Sequence, residues 1–218
     1  MDHRISAPQN TPISPARPRK SGESRRRTLG CPRSPGRVPS RGARPDYWRV
    51  LLRISRLLRS GFLDLDFQPE LPEPPPDEDS APSRRYLRDC REQILRGLVE
   101  RLEPGGGIAH PRRLLRELVA RERQFCSAVG DEVAIPHLRT LQVRKMRLGL
   151  ARSPMGLPFG EGGEPVRLFL LLVGPSGEEA AYLRVFRALA GTLRIPEERQ
   201  RLMEMDEEWE IMRLLDVG

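Results

Sequence analysis

Lysine is almost missing from this chain: Lys20 and Lys145 are the only two among 38 basic residues. We read this as a composition bias and attach no function to it. Histidine is nearly as scarce. His3, His110 and His137 are too scattered for an H-E-x-x-H helix or a Cys/His zinc knuckle. Three cysteines, Cys31, Cys90 and Cys126, lack C-x-x-C spacing and cannot all pair. That argues for a reducing compartment and against a disulfide frame. No apolar run approaches the ~18 residues needed to cross a bilayer. The longest, Leu168–Val173, has strand length. Gly105-Gly106-Gly107 fits neither the G-x-G-x-x-G nor the G-x-x-x-x-G-K spacing, and no G-x-S-x-G elbow is present. The Arg-rich N-terminus has no apolar core of a secretory signal, so a cytoplasmic protein is expected. Neither a cofactor nor a metal is expected.

What charge there is lies unevenly. Met1–Pro45 carries 11 Lys/Arg against 2 Asp/Glu, while the remaining residues carry 27 against 28. The formal net charge of +8 therefore belongs to the first 45 residues. That segment is rich in Pro, Ser, Gly and Arg and cannot bury enough apolar surface to offset its ordering entropy, so a disordered tail is expected there. A basic arm for nucleic acid or an anionic membrane is one reading; a poorly constrained tail is the other. The near-neutral remainder lacks a basic recognition helix and argues against a nucleic-acid partner.

From Tyr47 an apolar stripe (Trp48, Leu51, Leu52, Ile54, Leu57, Leu58) predicts a helix ending at Gly61. Phe62–Phe67 alternates as a half-buried strand. Residues 68–83, Pro-rich with an acidic cluster at Asp77-Glu78-Asp79, predict an inserted loop. Ser83 is placed to cap a helix whose buried face runs from Leu87 to Leu102. A second helix starts at His110-Pro111. Val133–Ile135, Leu138–Val143 with Met146–Leu150, and Val166–Val173 read as further strands, the last apolar enough for a central one. Ser153–Gly163 reads as a loop. Helices follow over Glu178–Leu193, Glu197–Met205 and Asp206–Leu215. Helices alternating with about four strands predict one α/β domain over residues 46–218, three-layered, its mixed sheet flanked by helices.

The remaining candidate for chemistry is His137, which follows Pro136 at a strand end. Without further context a lone histidine is more often a packed or surface residue. A neutral imidazole is nevertheless a competent nucleophile toward phosphorus, since imidazoles titrate near neutrality. A phosphoryl group held there needs cationic or backbone donors, and Arg121, Arg123 and Arg139 lie close in sequence. A Cys126–His137 pair is sequence-near, but Cys126 falls in what reads as a packed turn.

Asp131-Glu132-Val133-Ala134-Ile135-Pro136-His137 resembles the phosphohistidine motif of the type-2 enzyme IIA domains of the bacterial phosphoenolpyruvate:sugar phosphotransferase system. This is the mannitol, fructose and nitrogen-regulatory class. Glu117–Glu122 is similar to the family's helix end, with Arg121 sixteen residues before the histidine. Leu150–Gly160, Pro165–Pro175 and Arg187–Leu202 resemble the following loop, strand and helical end. The resemblance spans roughly residues 55–215. It implies that His137 accepts a phosphoryl group from an HPr-like phosphocarrier and passes it to an enzyme IIB or to a regulated target. Arg121 would contact that phosphoryl group, and Ser127 would supply a nearby hydroxyl. Two residues depart from the family pattern. Tyr182 stands where a second histidine is usual, and Leu138 where a small residue follows the histidine. These departures keep a second reading open, a non-catalytic interaction module of the same fold.

Overall fold

The computed structural model describes residues 53–74 and 82–217. The expected tail, the start of the first helix and the acidic cluster at 77–79 lie outside the described residues. A short helix α1 (Ile54–Arg59) is followed by strand β1 (Phe62–Asp64). Helices α2 (Arg84–Leu102) and α3 (Pro111–Gln124) come next, then strands β2 (Ala128–Gly130), β3 (Val133–Ala134), β4 (His137–Thr140), β5 (Arg147–Pro158) and β6 (Pro165–Pro175). Helices α4 (Glu179–Leu193), α5 (Pro196–Glu204) and α6 (Glu208–Val217) close the chain.

The strands form one mixed sheet in the order β1-β5-β6-β3-β2, and β4 pairs with β6 beyond β3. Strand β6 is the centre, as its unbroken apolar run predicts, and Leu168–Val173 is fully buried. Its alternate side chains feed two separate cores. Leu168, Leu170 and Leu172 meet α1, α4, α5 and α6. Phe169, Leu171 and Val173 meet α2 and α3. The result is the three-layer α/β arrangement.

Local chemistry explains the starts of several helices. The Ser83 hydroxyl accepts from Tyr86 N (3.1 Å), capping α2. Pro111 and Pro196 occupy first helical turns, where no backbone N–H is needed.

Four expectations change. The sheet has six strands, where about four were expected. Residues Ala128–Gly130, for which no strand was expected, form an antiparallel hairpin with β3. Ser153–Gly163, expected as a loop, is mostly strand. Strand β5 continues to Pro158 through a register shift between Arg152 and Leu157. Gly156 takes φ +76° there, and Met155 points outward, 92% exposed. The Pro and Gly residues that read as loop signals mark a bulge inside a hairpin. The expected strand Phe62–Phe67 is cut to three residues. The Asp64 carboxylate accepts from Asp66 N (3.1 Å), which folds the chain into a turn before Phe67.

Candidate functional site

The turn Gly130-Asp131-Glu132 sends the chain from β2 back into β3. Both Asp131 (φ 50°) and Glu132 (φ 60°) are left-handed, as a tight two-residue hairpin turn requires. Beyond β3, Ile135 and Pro136 step the chain along the same edge of β6. His137 then opens β4 opposite Leu172, with Leu172 N donating to Pro136 O (2.9 Å).

The His137 ring is half-buried. Its Nδ1 lies 2.8 Å from the Ile135 carbonyl oxygen. A carbonyl only accepts, so Nδ1 carries the proton and, in the neutral ring, Nε2 keeps its lone pair. The Phe186 ring packs against the imidazole, with centroids 4.7 Å apart and planes tilted by 49°. These two contacts hold the ring, and in its neutral form the lone pair sits on Nε2.

His137 borders a cleft of about 480 Å³ shared with Arg121, Leu138, Arg139, Ser176, Tyr182, Leu183 and Phe186. Arg121 comes from the last turn of α3, where the helix dipole favours a cation. Its guanidinium lies over the Phe125 ring (4.8 Å), and its Nη1 is buried with no hydrogen-bond partner. Arg139 pairs with Glu179 (3.2 Å). Tyr182, in the first turn of α4, is 4% exposed, and its hydroxyl also has no partner. Burial pushes the Tyr182 phenol well above its ordinary value, with Arg139 and Arg121 pulling the other way. An unpaired buried hydroxyl costs about 1–3 kcal/mol. Two residues with such unpartnered atoms, Arg121 and Tyr182, line one cleft with His137.

Helix α3 is tied to β4 one turn before Arg121. The Glu117 carboxylate accepts from Thr140 Oγ1 (2.5 Å) and Gln142 Nε2 (3.2 Å), and Gln142 N donates to Thr140 Oγ1 (3.1 Å). This network fixes the helix that carries Arg121 against the strand that carries His137.

Of the four residues singled out from sequence, the structure brings His137, Arg121 and Tyr182 to one cleft. Ser127 lies elsewhere. Its hydroxyl donates to Glu122 Oε2 (2.6 Å), and its backbone N donates to Glu122 Oε1 (2.8 Å). Its carbonyl oxygen, however, accepts from Ile135 N (2.9 Å). Ile135 in turn holds His137 Nδ1, so Ser127 supports the histidine through the backbone. Glu122 was not anticipated. The signal was present, because Glu122 follows Leu114 and Leu118 at four-residue steps on the buried face of α3. Cys126 does not join the cleft. Its thiol lies 3.7 Å from the Phe159 carbonyl oxygen, and burial raises its pKa. No group of three or more potential metal ligands occurs among the described residues. No helix among them is long and apolar enough to cross a membrane.

A mixed sheet between two helical layers, with a tautomer-fixed histidine at the start of β4, defines the class: a three-layer α/β domain. The chain belongs to the family described as "Phosphoenolpyruvate-dependent sugar phosphotransferase system, EIIA 2", whose pattern matches residues 88–217, more than half of the chain. A fructose-specific EIIA component of Haloferax volcanii is 25% identical over 126 residues, which is 57% of this chain and 82% of the relative. A fructose-specific EIIABC component of Bacillus subtilis is 24% identical over 127 residues, 58% of this chain but 20% of the relative. The chain thus spans about a fifth or less of the first curated relatives it matches. Among solved structures, nitrogen regulatory protein IIA-Ntr from Neisseria meningitidis superposes with a TM-score of 0.60 at 22% identity. The match covers 74% of this chain and 98% of that one and shows a shared fold.

Proposed function

We propose that this domain is a phosphocarrier of the sugar phosphotransferase system and that His137 Nε2 takes the phosphoryl group. The observation that carries this reading is the Nδ1–Ile135 hydrogen bond, which leaves Nε2 as the nucleophilic nitrogen in the neutral ring. The donor is an HPr-like phosphocarrier. The Nε2 lone pair forms the new N–P bond as the donor's N–P bond breaks, and that electron pair returns to the donor's imidazole. Such transfer depends on positioning and on stabilising charge over the phosphoryl oxygens. Arg121 supplies a cation and an unpartnered donor, and Arg139 adds a second cation at the rim. The group then passes to an enzyme IIB or remains as a regulatory signal. Membership of the type-2 EIIA family supports this reading.

Incubation with enzyme I, HPr and phosphoenolpyruvate is expected to place an acid-labile, alkali-stable phosphate on the wild type and none on His137→Ala. A wild type without label, beside a labelled control IIA, would sink the phosphocarrier reading. Label that survives His137→Ala would sink the site. The alternative, an interaction module that signals by binding alone, draws on Leu138, which borders the cleft next to the histidine. It predicts a folded wild type that binds partners and takes no label.

A further inference from the structure

Tyr182 and Arg121 reach the cleft from different elements, and each keeps a buried polar atom without a partner. Tyr182 does not sit there as a loosely held side chain. Strand β6 admits its ring only because residue 174 is glycine: a Cβ at Gly174 would lie 2.8 Å from Tyr182 Cδ2. The backbone N of Tyr182 donates to Glu178 O (2.9 Å), fixing the residue in the first turn of α4. One turn later on the same helix, Phe186 packs on the His137 ring. The helix that packs on the imidazole therefore also carries the tyrosine that lines the same cleft.

We infer that the Tyr182 hydroxyl is a permanent hydrogen-bond donor to an oxyanion at His137, acting with Arg121, so that this arm of the site does not switch off as pH rises through neutrality. The ligand class is a tetrahedral phosphoryl or phosphate oxyanion. Its identity as a transferable phosphoryl group rests on the phosphocarrier reading; the donor role of Tyr182 does not.

The charged and titratable groups around the phenol are consistent with a fixed donor. Arg121 faces it from α3 and Arg139 from β4, both within electrostatic reach. His137 borders the same cleft from β4, and Glu179 on α4 is engaged by Arg139. An ionised phenol would lose its donor and repel the anion. Burial opposes that ionisation, and the hydroxyl keeps its proton through the neutral range. A histidine in the same place would donate from both nitrogens only when protonated, which ties donation to pH.

The test uses inorganic phosphate titrated into the full chain, followed by NMR of the His137 imidazole, in wild type, Tyr182→Phe, Tyr182→His and Arg121→Gln. Tyr182→Phe keeps the ring packing, and its amide spectrum away from the cleft reports whether the fold is intact. Phosphate binding is expected to weaken about tenfold in Tyr182→Phe, the loss of one charge-assisted hydrogen bond. The ratio to wild type should be the same at every pH across the neutral range. In Tyr182→His affinity should recover only as pH falls below ~6.5. Arg121→Gln should weaken binding in both tyrosine and phenylalanine backgrounds. The inference is overturned if Tyr182→Phe binds phosphate within twofold of wild type. It is also overturned if the ratio drifts with pH, or if phosphate leaves the wild-type imidazole unperturbed. Transfer from HPr is assayed on the same preparations. Label on His137 with tyrosine-independent phosphate binding removes this inference and leaves the phosphocarrier reading. Tyrosine-dependent binding without label does the reverse.

Discussion

Tyr182 carries two opposed consequences. Its orphan hydroxyl weakens the fold while its ring fills the core beside Val185 and Leu189. Removing the hydroxyl alone should therefore stabilise the protein, by about 1–2 kcal/mol on the scale of an unpaired buried hydroxyl. Urea unfolding of Tyr182→Phe measures this, and a midpoint at or below wild type would contradict it. A pH effect follows from the same burial. The folded phenol titrates above the unfolded one, whose value is about 10. Below that pH both states hold the proton and stability is unaffected. As pH rises through 10 toward the folded value the unfolded state loses its proton first, and stability falls. Tyr182→Phe should lack this share of the alkaline decline. A more stable protein with a poorer oxyanion site would be the usual trade at a functional residue.

At the scale of elements, the seam between β5 and the C-terminal helices hangs on one buried arginine. Arg152 donates to Met203 O (3.0 Å) and Met205 O (2.7 Å) at the end of α5, and pairs with Asp206 (2.7 Å) before α6. Arg152→Met keeps the bulk and leaves these carbonyls without their donor, at a cost on the order of 3 kcal/mol. Thermal unfolding reads the loss, and an unchanged Tm would show that water replaces the guanidinium. Helix α4 has a similar dependence on β6. Gly174→Ala drives a methyl into the Tyr182 ring. The expected cost is about 1–3 kcal/mol, with a shifted His137 resonance as the ring and Phe186 move. A His137 signal that stays in place would separate α4 position from the site.

Across the whole molecule, the described residues form a six-stranded sheet with a filled core on each face. Deleting residues 1–45 should leave the Tm and the labelling of His137 unchanged, and should remove most of the net positive charge. A truncated chain that loses label would give the tail a part in partner recognition. Salt-sensitive DNA binding lost on truncation would restore the nucleic-acid reading of the tail.

Much of this was legible along the chain because it depends on neighbours in sequence. The central position of β6 follows from its apolar run, helix starts follow from Ser83, Pro111 and Pro196, and the family follows from the motif around His137. The Arg121 spacing is a property of the same motif. Other features were not legible, because they are agreements between distant segments. The strand hidden in Ser153–Pro158 exists only because Val166 and Pro165 are there to pair with it, and Pro and Gly signals cannot report a partner. Ser127 has the right residue type, yet whether its hydroxyl meets the histidine or the Glu122 carboxylate is decided by how α3 packs. Residue types and their periods thus set the layers and the central strand. Which unpaired donors line the cleft with His137 was decided by the approach of α3 and α4 to one edge of the sheet. A hydrogen bond or an orphaned hydroxyl is a relation in space that no local pattern encodes.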